Sequence, residues 1–140
     1  LQVIRCLLEG PEGNGDNTEL VLFFQNRTEE DILLEQELRE LAFMFKHRLR
    51  VLFFLSNPRN EYWGKKFESS RALRSFFSSD SDGQVPQIRG YITQAAVKAA
   101  LAPDSCPLVG VCGPSGFNDA IKELLVAEGH DSDGDSIFIW

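Results

Sequence analysis

The hydrophobic and polar positions of the chain form two patterns that follow each other along the sequence. Between the apolar runs, apolar residues recur at helical spacing, which predicts helices over residues 1–8, 28–45, 93–101 and 117–128. Apolar runs without alternation, typical of strands covered on both faces, predict strands at 19–25, 49–55, 108–112 and 136–140. This alternation predicts an α/β fold, a doubly wound, mostly parallel sheet with helices on both faces.

Several local signals bound the predicted helices. The segment from Thr28 to Asp31 resembles a capping box, and Thr93 can cap the alanine-rich helix. Gly129 is expected to end the last helix in a left-handed conformation. The helix that follows Thr28 should bury one apolar stripe, formed by Leu34, Leu38, Leu41 and Phe45.

Residues 57–89 are the least regular part of the chain. Ala72, Leu73, Phe76 and Phe77 can form one short amphipathic helix. The serine-rich stretch 78–83 is typical of an exposed, mobile loop.

Composition and charge narrow the class of protein. The 140 residues suffice for one α/β domain, and 43% of them are hydrophobic. No apolar run approaches the length of a membrane span, and the net charge of −7 argues against nucleic acid as a partner. The three cysteines lack metal-ligand spacing, so we expect no bound metal, no disulfide framework and a reducing intracellular compartment.

The stretch from Cys112 to Phe117 leaves a predicted strand and opens a predicted helix. Ligands of open α/β sheets bind at the carboxyl ends of strands. Small residues such as Gly113 let a flat ring or a phosphate approach the backbone, and the helix N-terminus favours negative charge. A plain strand-to-helix turn explains the stretch equally well.

The segment Asn26–Asp31 leaves the first predicted strand in the same way. Its short polar side chains can bond ribose hydroxyls, and Arg27 can lie over an adenine. A carboxylate at residue 29, 30 or 31 would repel a 2′-phosphate. Helix capping alone is the simpler interpretation, since Thr28 and the acids are well suited to it.

Three other motifs each lack a residue or a structural context that the corresponding functional site requires. Residues 113–117 lack the second glycine of a nucleophile elbow. Aspartates at 131, 133 and 135 copy the start of a calcium loop, but Ser136 stands where the loop needs glycine. The glycines at 10, 13 and 15 follow a helix rather than a strand, so they are not a dinucleotide fingerprint.

Four segments, in this order, carry a family resemblance: LQVIR at 1–5, NRTEEDILL at 26–34, GYIT at 90–93 and CGP at 112–114. Together they resemble the pyridine-nucleotide domain of cytochrome b5 reductases and the related reductase module of plant-type nitrate reductases. The resemblance covers most of the chain. Residues 57–89 lie outside it and are interpreted as an insertion.

The resemblance implies a division of labour between domains. This domain would bind NADH, and an N-terminal barrel, absent from the sequence, would bind FAD. Hydride would pass from nicotinamide to flavin, and single electrons would pass on to a haem protein or a similar acceptor. The cofactors carry the redox chemistry, and the protein supplies distance and orientation.

The resemblance also assigns residues by position. Near the adenosine end it places Asn26, Arg27, Thr28 and Asp31, and the carboxylate of Asp31 would favour NADH over NADPH. Beside the nicotinamide it places Cys112, Gly113 and Pro114, with Cys112 taken as the catalytic residue. Trp140 matches a terminal aromatic that lies near the flavin, and core packing explains Trp140 equally well.

The chain departs from the family pattern in two places. Ser115, Gly116 and Phe117 stand where the family has two prolines and a methionine, and the resemblance then implies either a changed contact to nicotinamide or weaker binding. The family's first strand and its glycine-rich turn, which cradles the pyrophosphate, are absent. We therefore expect residues 1–140 to be an NAD(P)H-binding domain that is incomplete at its N-terminus, and inactive on its own.

The absent strand leads to a physical expectation. The first strand of a doubly wound sheet is central, so residues 20–24 and 108–112 would both flank it. A segment from the same polypeptide or from a neighbouring chain is expected to lie between those two strands.

Three hypotheses about function remain open. The first is a complete NADH-dependent flavin oxidoreductase. It would be cytoplasmic or mitochondrial, and possible membrane association would come through segments outside the sequence. The second is a non-catalytic subunit in which the fold survives as a scaffold of a larger assembly. The third is a different flavodoxin-like or dinucleotide-binding domain, since fold alone does not fix chemistry.

Overall fold

The computed structural model describes residues 1–10, 17–64, 69–78, 82–101, 107–130 and 136–140. It divides into two compact units, Leu1–Tyr91 and Ile92–Trp140, which are described separately. The structure does not describe the segments at 11–15, 79–81 and 103–106 or the aspartates at 131–135. The expectations for the calcium-like loop and for Cys106 therefore concern parts of the chain that are not described.

The first unit is built on a parallel sheet of three strands in the order β1-β2-β3. They span β1 (Leu20–Asn26), β2 (Leu49–Leu55) and β3 (Gln87–Arg89). Strand β2 lies between the other two, and its apolar side chains are fully buried. The sequence predicted β1 and β2 well but not β3, which is too short to show a period.

Helices cover both faces of this sheet. They are α1 (Gln2–Glu9), α2 (Glu35–Met44) and α3 (Ser70–Ser78). On one face, Arg39 of α2 lies over the ring of Phe53 at 5.2 Å. On the other, Phe77 of α3 contacts Phe23, which in turn contacts Phe54. The predicted α/β architecture with parallel strands is confirmed.

Strand β1 is less buried than its sequence led us to expect. Its residues are half-buried and Val21 is exposed, whereas β2 is buried almost throughout. The physical reason is position, because β1 pairs with β2 on one side only, and no other described strand lies along its second edge.

The helix predicted after Thr28 is interrupted. A single turn of 3-10 helix, Glu29–Asp31, comes first, and α2 begins only at Glu35. Between them, Leu34 adopts a left-handed conformation with φ of 61° and is exposed, so its place in the predicted buried stripe is wrong. Leu38 and Leu41 are buried as predicted.

Trp63 and Gly64, from the stretch 57–89, lie against β3. Trp63 is buried, and its indole Nε1 donates a hydrogen bond to the main-chain oxygen of Ile88 at 3.2 Å. Gly64 follows with φ of 82°, and a Cβ there would lie 2.5 Å from the amide nitrogen of Arg89. The short helix predicted around Leu73 is confirmed as α3, with Leu73 buried.

The second unit contains a parallel pair of strands and two helices. They are α4 (Gln94–Ala100), β4 (Val109–Val111), α5 (Ser115–Ala127) and β5 (Ile137–Ile139). Thr93 caps α4 as predicted, its hydroxyl accepting from the amide of Ala96 at 3.3 Å. Gly129 has φ of 88°. The amide of His130 donates to the oxygen of Leu125, the Schellman pattern expected of a left-handed end.

Among the residues that the structure describes, no helix is both long and apolar enough to cross a membrane.

The edge of β1 along which no described strand lies leads to the first prediction. Residues 1–140 alone should not give a cooperative thermal transition as a monomer, because an apolar strand of this kind is expected to pair on both sides and β1 pairs with a described strand on one side only. Each main-chain group costs about 1–3 kcal/mol when buried without a partner, against the roughly 5–15 kcal/mol that stabilises a typical domain. The measurement is a thermal melt with a mass determination. A soluble monomer of residues 1–140 that melts cooperatively would contradict the prediction.

Candidate functional site

The loop that leaves the carboxyl end of β1 is held by a capping interaction. Both the main-chain amide and the hydroxyl of Thr28 donate to Oδ2 of Asp31, at 2.8 and 2.7 Å. These hydrogen bonds, the hydroxyl's first, hold the pKa of the Asp31 carboxyl below its usual range, helped by the nearby charges of Arg27 and Arg59. Asp31 is therefore an exposed, ionised carboxylate in a fixed position.

Two further candidates lie on the same loop. Arg27 is exposed. The side-chain amide of Asn26 donates to the main-chain oxygen of Asp31 at 3.2 Å when its nitrogen faces that atom. The structure thus brings together Asn26, Arg27, Thr28 and Asp31, and it assigns capping roles to two of them, as the simpler interpretation of the sequence required.

Glu29 joins this loop to the loop that follows β2, a role that the sequence did not reveal. Its two carboxylate oxygens accept from the amides of Arg59 and Asn60 at 2.9 and 2.8 Å. These amides, first that of Arg59, lower the pKa of Glu29. The partners lie about 30 residues away in a segment without readable periodicity, so no sequence signal pointed to them.

In the second unit, the turn between β4 and α5 carries the other small-residue motif. Cys112 is an exposed free thiol, and Pro114 is also exposed. Gly113 lies against the ring of Phe117, because a Cβ at Gly113 would lie 2.5 Å from its Cδ1. An approaching ring would therefore meet Cys112, Pro114 and the Phe117 side chain.

Trp140 follows β5 and presents its ring at the surface, with 70% of the residue exposed. Its amide donates to the oxygen of Val111 at 3.0 Å. The ring lies across Gly110, whose added Cβ would come within 2.9 Å of it, and it stacks on Phe138 with 6.4 Å between centroids. This exposure does not fit the core-packing alternative.

The candidates therefore fall into two groups. One group lies on the loop after β1 in the first unit. The other lies in the second unit and consists of Cys112, Gly113, Pro114 and Trp140.

Two surface depressions of the first unit lie elsewhere. One of about 370 Å³ lies among Arg39, Tyr62, Gly64, residues 83–85 and Gln87, and another lies along α2. Both are open to solvent, and neither includes a candidate residue. We give more weight to the polar groups at the strand ends, where ligands of α/β sheets bind.

Within the described ranges, no group of three histidine, cysteine or acidic side chains is arranged to hold a metal ion.

Parallel strands that end in a capped polar loop and in a small-residue turn place this chain among α/β domains, whose ligands bind at the carboxyl ends of the strands. Comparison with known proteins makes the class specific. A family model described as the oxidoreductase NAD-binding domain matches residues 1–123, and the chain belongs to that family.

The relatives are NADH-cytochrome b5 reductases. The chain is 31% identical over 123 residues to NADH-cytochrome b5 reductase 2 of Aspergillus clavatus, covering 86% of this chain and 30% of that protein. It is 44% identical over 84 residues to NADH-cytochrome b5 reductase 1 of Dictyostelium discoideum, covering 59% of this chain and 28% of that protein. The chain thus spans less than a third of the length of these relatives.

A solved structure has the same fold. The cytochrome b5 reductase domain of Ulva prolifera nitrate reductase superimposes with a TM-score of 0.72 at 25% sequence identity. The match covers 99% of this chain and 44% of that one. The predicted family is therefore confirmed by sequence and by structure.

The hydrogen bonds that Glu29 accepts from the amides of Arg59 and Asn60 lead to a prediction about pH. Its pKa is lowered from 4.5 in the folded protein. The stabilisation that the Glu29 carboxylate provides should therefore be complete at a pH above its pKa in the unfolded chain. It should be lost as the pH falls through the lower pKa of the folded protein. Glu29→Gln should reduce the free energy of unfolding at pH 7 by about 1 kcal/mol, allowing for solvent screening. Denaturant titration of the intact protein at pH 7 and below pH 4 measures this difference, which should shrink in acid.

The neighbouring Glu30 provides the matched control, since its side chain forms an exposed ion pair with Arg59 and no other ion pair with a described residue. Glu30→Gln should change the free energy of unfolding by less than about 0.5 kcal/mol. If the Glu29→Gln protein is as stable as the wild type at pH 7, these hydrogen bonds of Glu29 do not contribute to stability, and the prediction is contradicted.

Proposed function

We propose that this chain is the NADH-binding half of a flavin oxidoreductase. Hydride would pass from NADH to an FAD held by another domain, and electrons would pass on to a haem protein or a similar acceptor. The observation that carries the proposal is the loop at the end of β1, which holds the ionised carboxylate of Asp31 at the surface. The relatives of the chain are named NADH-cytochrome b5 reductases, which supports the same conclusion. Residues 1–140 would form the NADH domain, with 57–89 as an insertion, within an intracellular protein.

The residues at the adenosine end fit this proposal. Arg27 is exposed and can lie over an adenine ring. Capping uses one carboxylate oxygen of Asp31, Oδ2, but the side chain keeps its negative charge at the surface. That charge is suited to a ribose with a free 2′-hydroxyl and unsuited to a 2′-phosphate.

The residues at the nicotinamide end fit with one change. Cys112 and Pro114 are open to an approaching ring, while the ring of Phe117 lies against Gly113. We propose that nicotinamide packs beside Cys112 and Pro114 and contacts Phe117. The exposed ring of Trp140 is proposed to face the flavin.

The charge of Asp31 leads to a prediction about nucleotide choice. The intact protein should bind NADH more tightly than NADPH, and Asp31→Asn should narrow the difference by roughly tenfold, because the carboxylate repels a nearby phosphate. Titrations of both nucleotides measure the dissociation constants.

Glu9→Gln is the control for net charge. Glu9 ends α1, away from the loop, and its replacement should leave the ratio of the two constants unchanged. Tighter binding of NADPH by the wild type would overturn the role of Asp31.

The thiol of Cys112 leads to a second functional prediction. Cys112→Ser should slow flavin reduction by roughly tenfold while changing NADH affinity little, because a group beside the reacting ring acts mainly on its orientation. Stopped-flow measurement of flavin reduction separates the rate from the affinity. Cys6→Ser, which changes the exposed cysteine of α1, should have no effect.

An unchanged rate in Cys112→Ser would reduce Cys112 to a surface residue of the turn. Binding of NADH by the wild type without any flavin reduction would instead favour the non-catalytic scaffold.

A further inference from the structure

Asn118 is the buried polar residue of the second unit that the proposed function does not use. It lies in the first turns of α5 and is 9% exposed. Its side-chain Nδ2 donates to the main-chain oxygen of Trp140 at 3.1 Å. Its Oδ1 is buried and has no hydrogen-bond partner among the described residues.

This arrangement is costly for a residue that serves packing alone. A buried amide oxygen without a partner loses its hydration and gains nothing in return. A leucine of similar size would avoid that cost. The one hydrogen bond that the buried side chain makes in exchange is directed at Trp140.

Trp140 is held at three points. Its amide is bound to β4 through Val111, and its main-chain oxygen is bound to α5 through Asn118. Its ring lies across Gly110, where a side chain would collide with it. Because the first two points fix the backbone on both sides of the Cα atom, they set the direction in which the ring leaves the strand.

We propose that Asn118 is a positioning residue that holds the Trp140 ring in the orientation needed for hydride transfer between nicotinamide and flavin. This inference rests on the proposed function, in which Trp140 faces the flavin. Asn118 acts through Trp140 and touches neither cofactor.

The experiment uses the intact flavoprotein labelled with 5-fluorotryptophan. Trp63 and Trp140 are the two tryptophans of the chain. Trp63 is buried and bound through its indole nitrogen, so its fluorine signal is an internal reference. Asn118→Leu removes the donor, and Asn118→Asp removes it at constant size, so a folding defect in one variant leaves the other. Asp119→Ala, an exposed neighbour on α5, is the matched control.

Both Asn118 variants should shift or broaden the Trp140 signal and leave that of Trp63 in place. Flavin reduction should slow by roughly tenfold with the NADH dissociation constant unchanged, as expected for lost orientation. In a Trp140→Ala background, which keeps the main-chain oxygen, Asn118→Leu should no longer affect the rate.

Two results would overturn the proposal. One is an unchanged Trp140 signal in both variants. The other is an equal slowing by Asn118→Leu with and without the Trp140 ring, which would make Asn118 a residue of general stability. If NADH does not reduce the flavin of the wild type, the proposed function fails and so does the catalytic part of this inference. The fluorine signals then still decide whether Asn118 positions Trp140.

Discussion

The burial of the apolar side chains of β2 is the constraint on which the first unit depends. A buried strand must pair its main-chain groups, and β2 pairs with β1 along its whole length and with β3 over Phe53–Leu55. Its register then brings the carboxyl ends of β1 and β2 level, with Asn26 opposite Leu55. The loops that follow are therefore neighbours, and Glu29 can reach the amides of Arg59 and Asn60.

In the proposed function, the loop after β1 uses the same residues for capping and for binding a ribose. Capping fixes Thr28 and Asp31 relative to each other without burying the carboxylate. A carboxylate that is already ordered and ionised loses little freedom when a ribose binds, and lower ordering cost is what preorganisation contributes to affinity. The capping interpretation and the binding interpretation of this motif are thus compatible.

The sequence predicted the regular parts of the fold for identifiable reasons. Unbroken apolar runs marked β1 and β2, and Thr93 and Gly129 marked helix ends through local hydrogen bonds. It failed where long-range contacts decide. Strand β3 has three residues and exists because Phe53, Phe54 and Leu55 pair with them. Glu29 and Asn118 find main-chain partners about 30 and 22 residues away, which no local pattern encodes. Leu34 is not part of the predicted buried stripe, because the 3-10 helix that the capping box begins ends after a single turn and α2 begins only after Leu34.

The departure of residues 115–117 from the family pattern bears on whether the fold is a working domain or a relic. In a decayed site, substitutions need not fit each other. Here Phe117 lies so close to Gly113 that any other residue at 113 would collide with its ring. The next residue, Asn118, is buried at the cost of an oxygen without a partner among the described residues, and its side chain binds the main-chain oxygen of Trp140. Phe117 thus packs against Gly113, and its neighbour Asn118 holds the main chain of Trp140. Such complementarity supports the proposed function over the alternative of a non-catalytic scaffold.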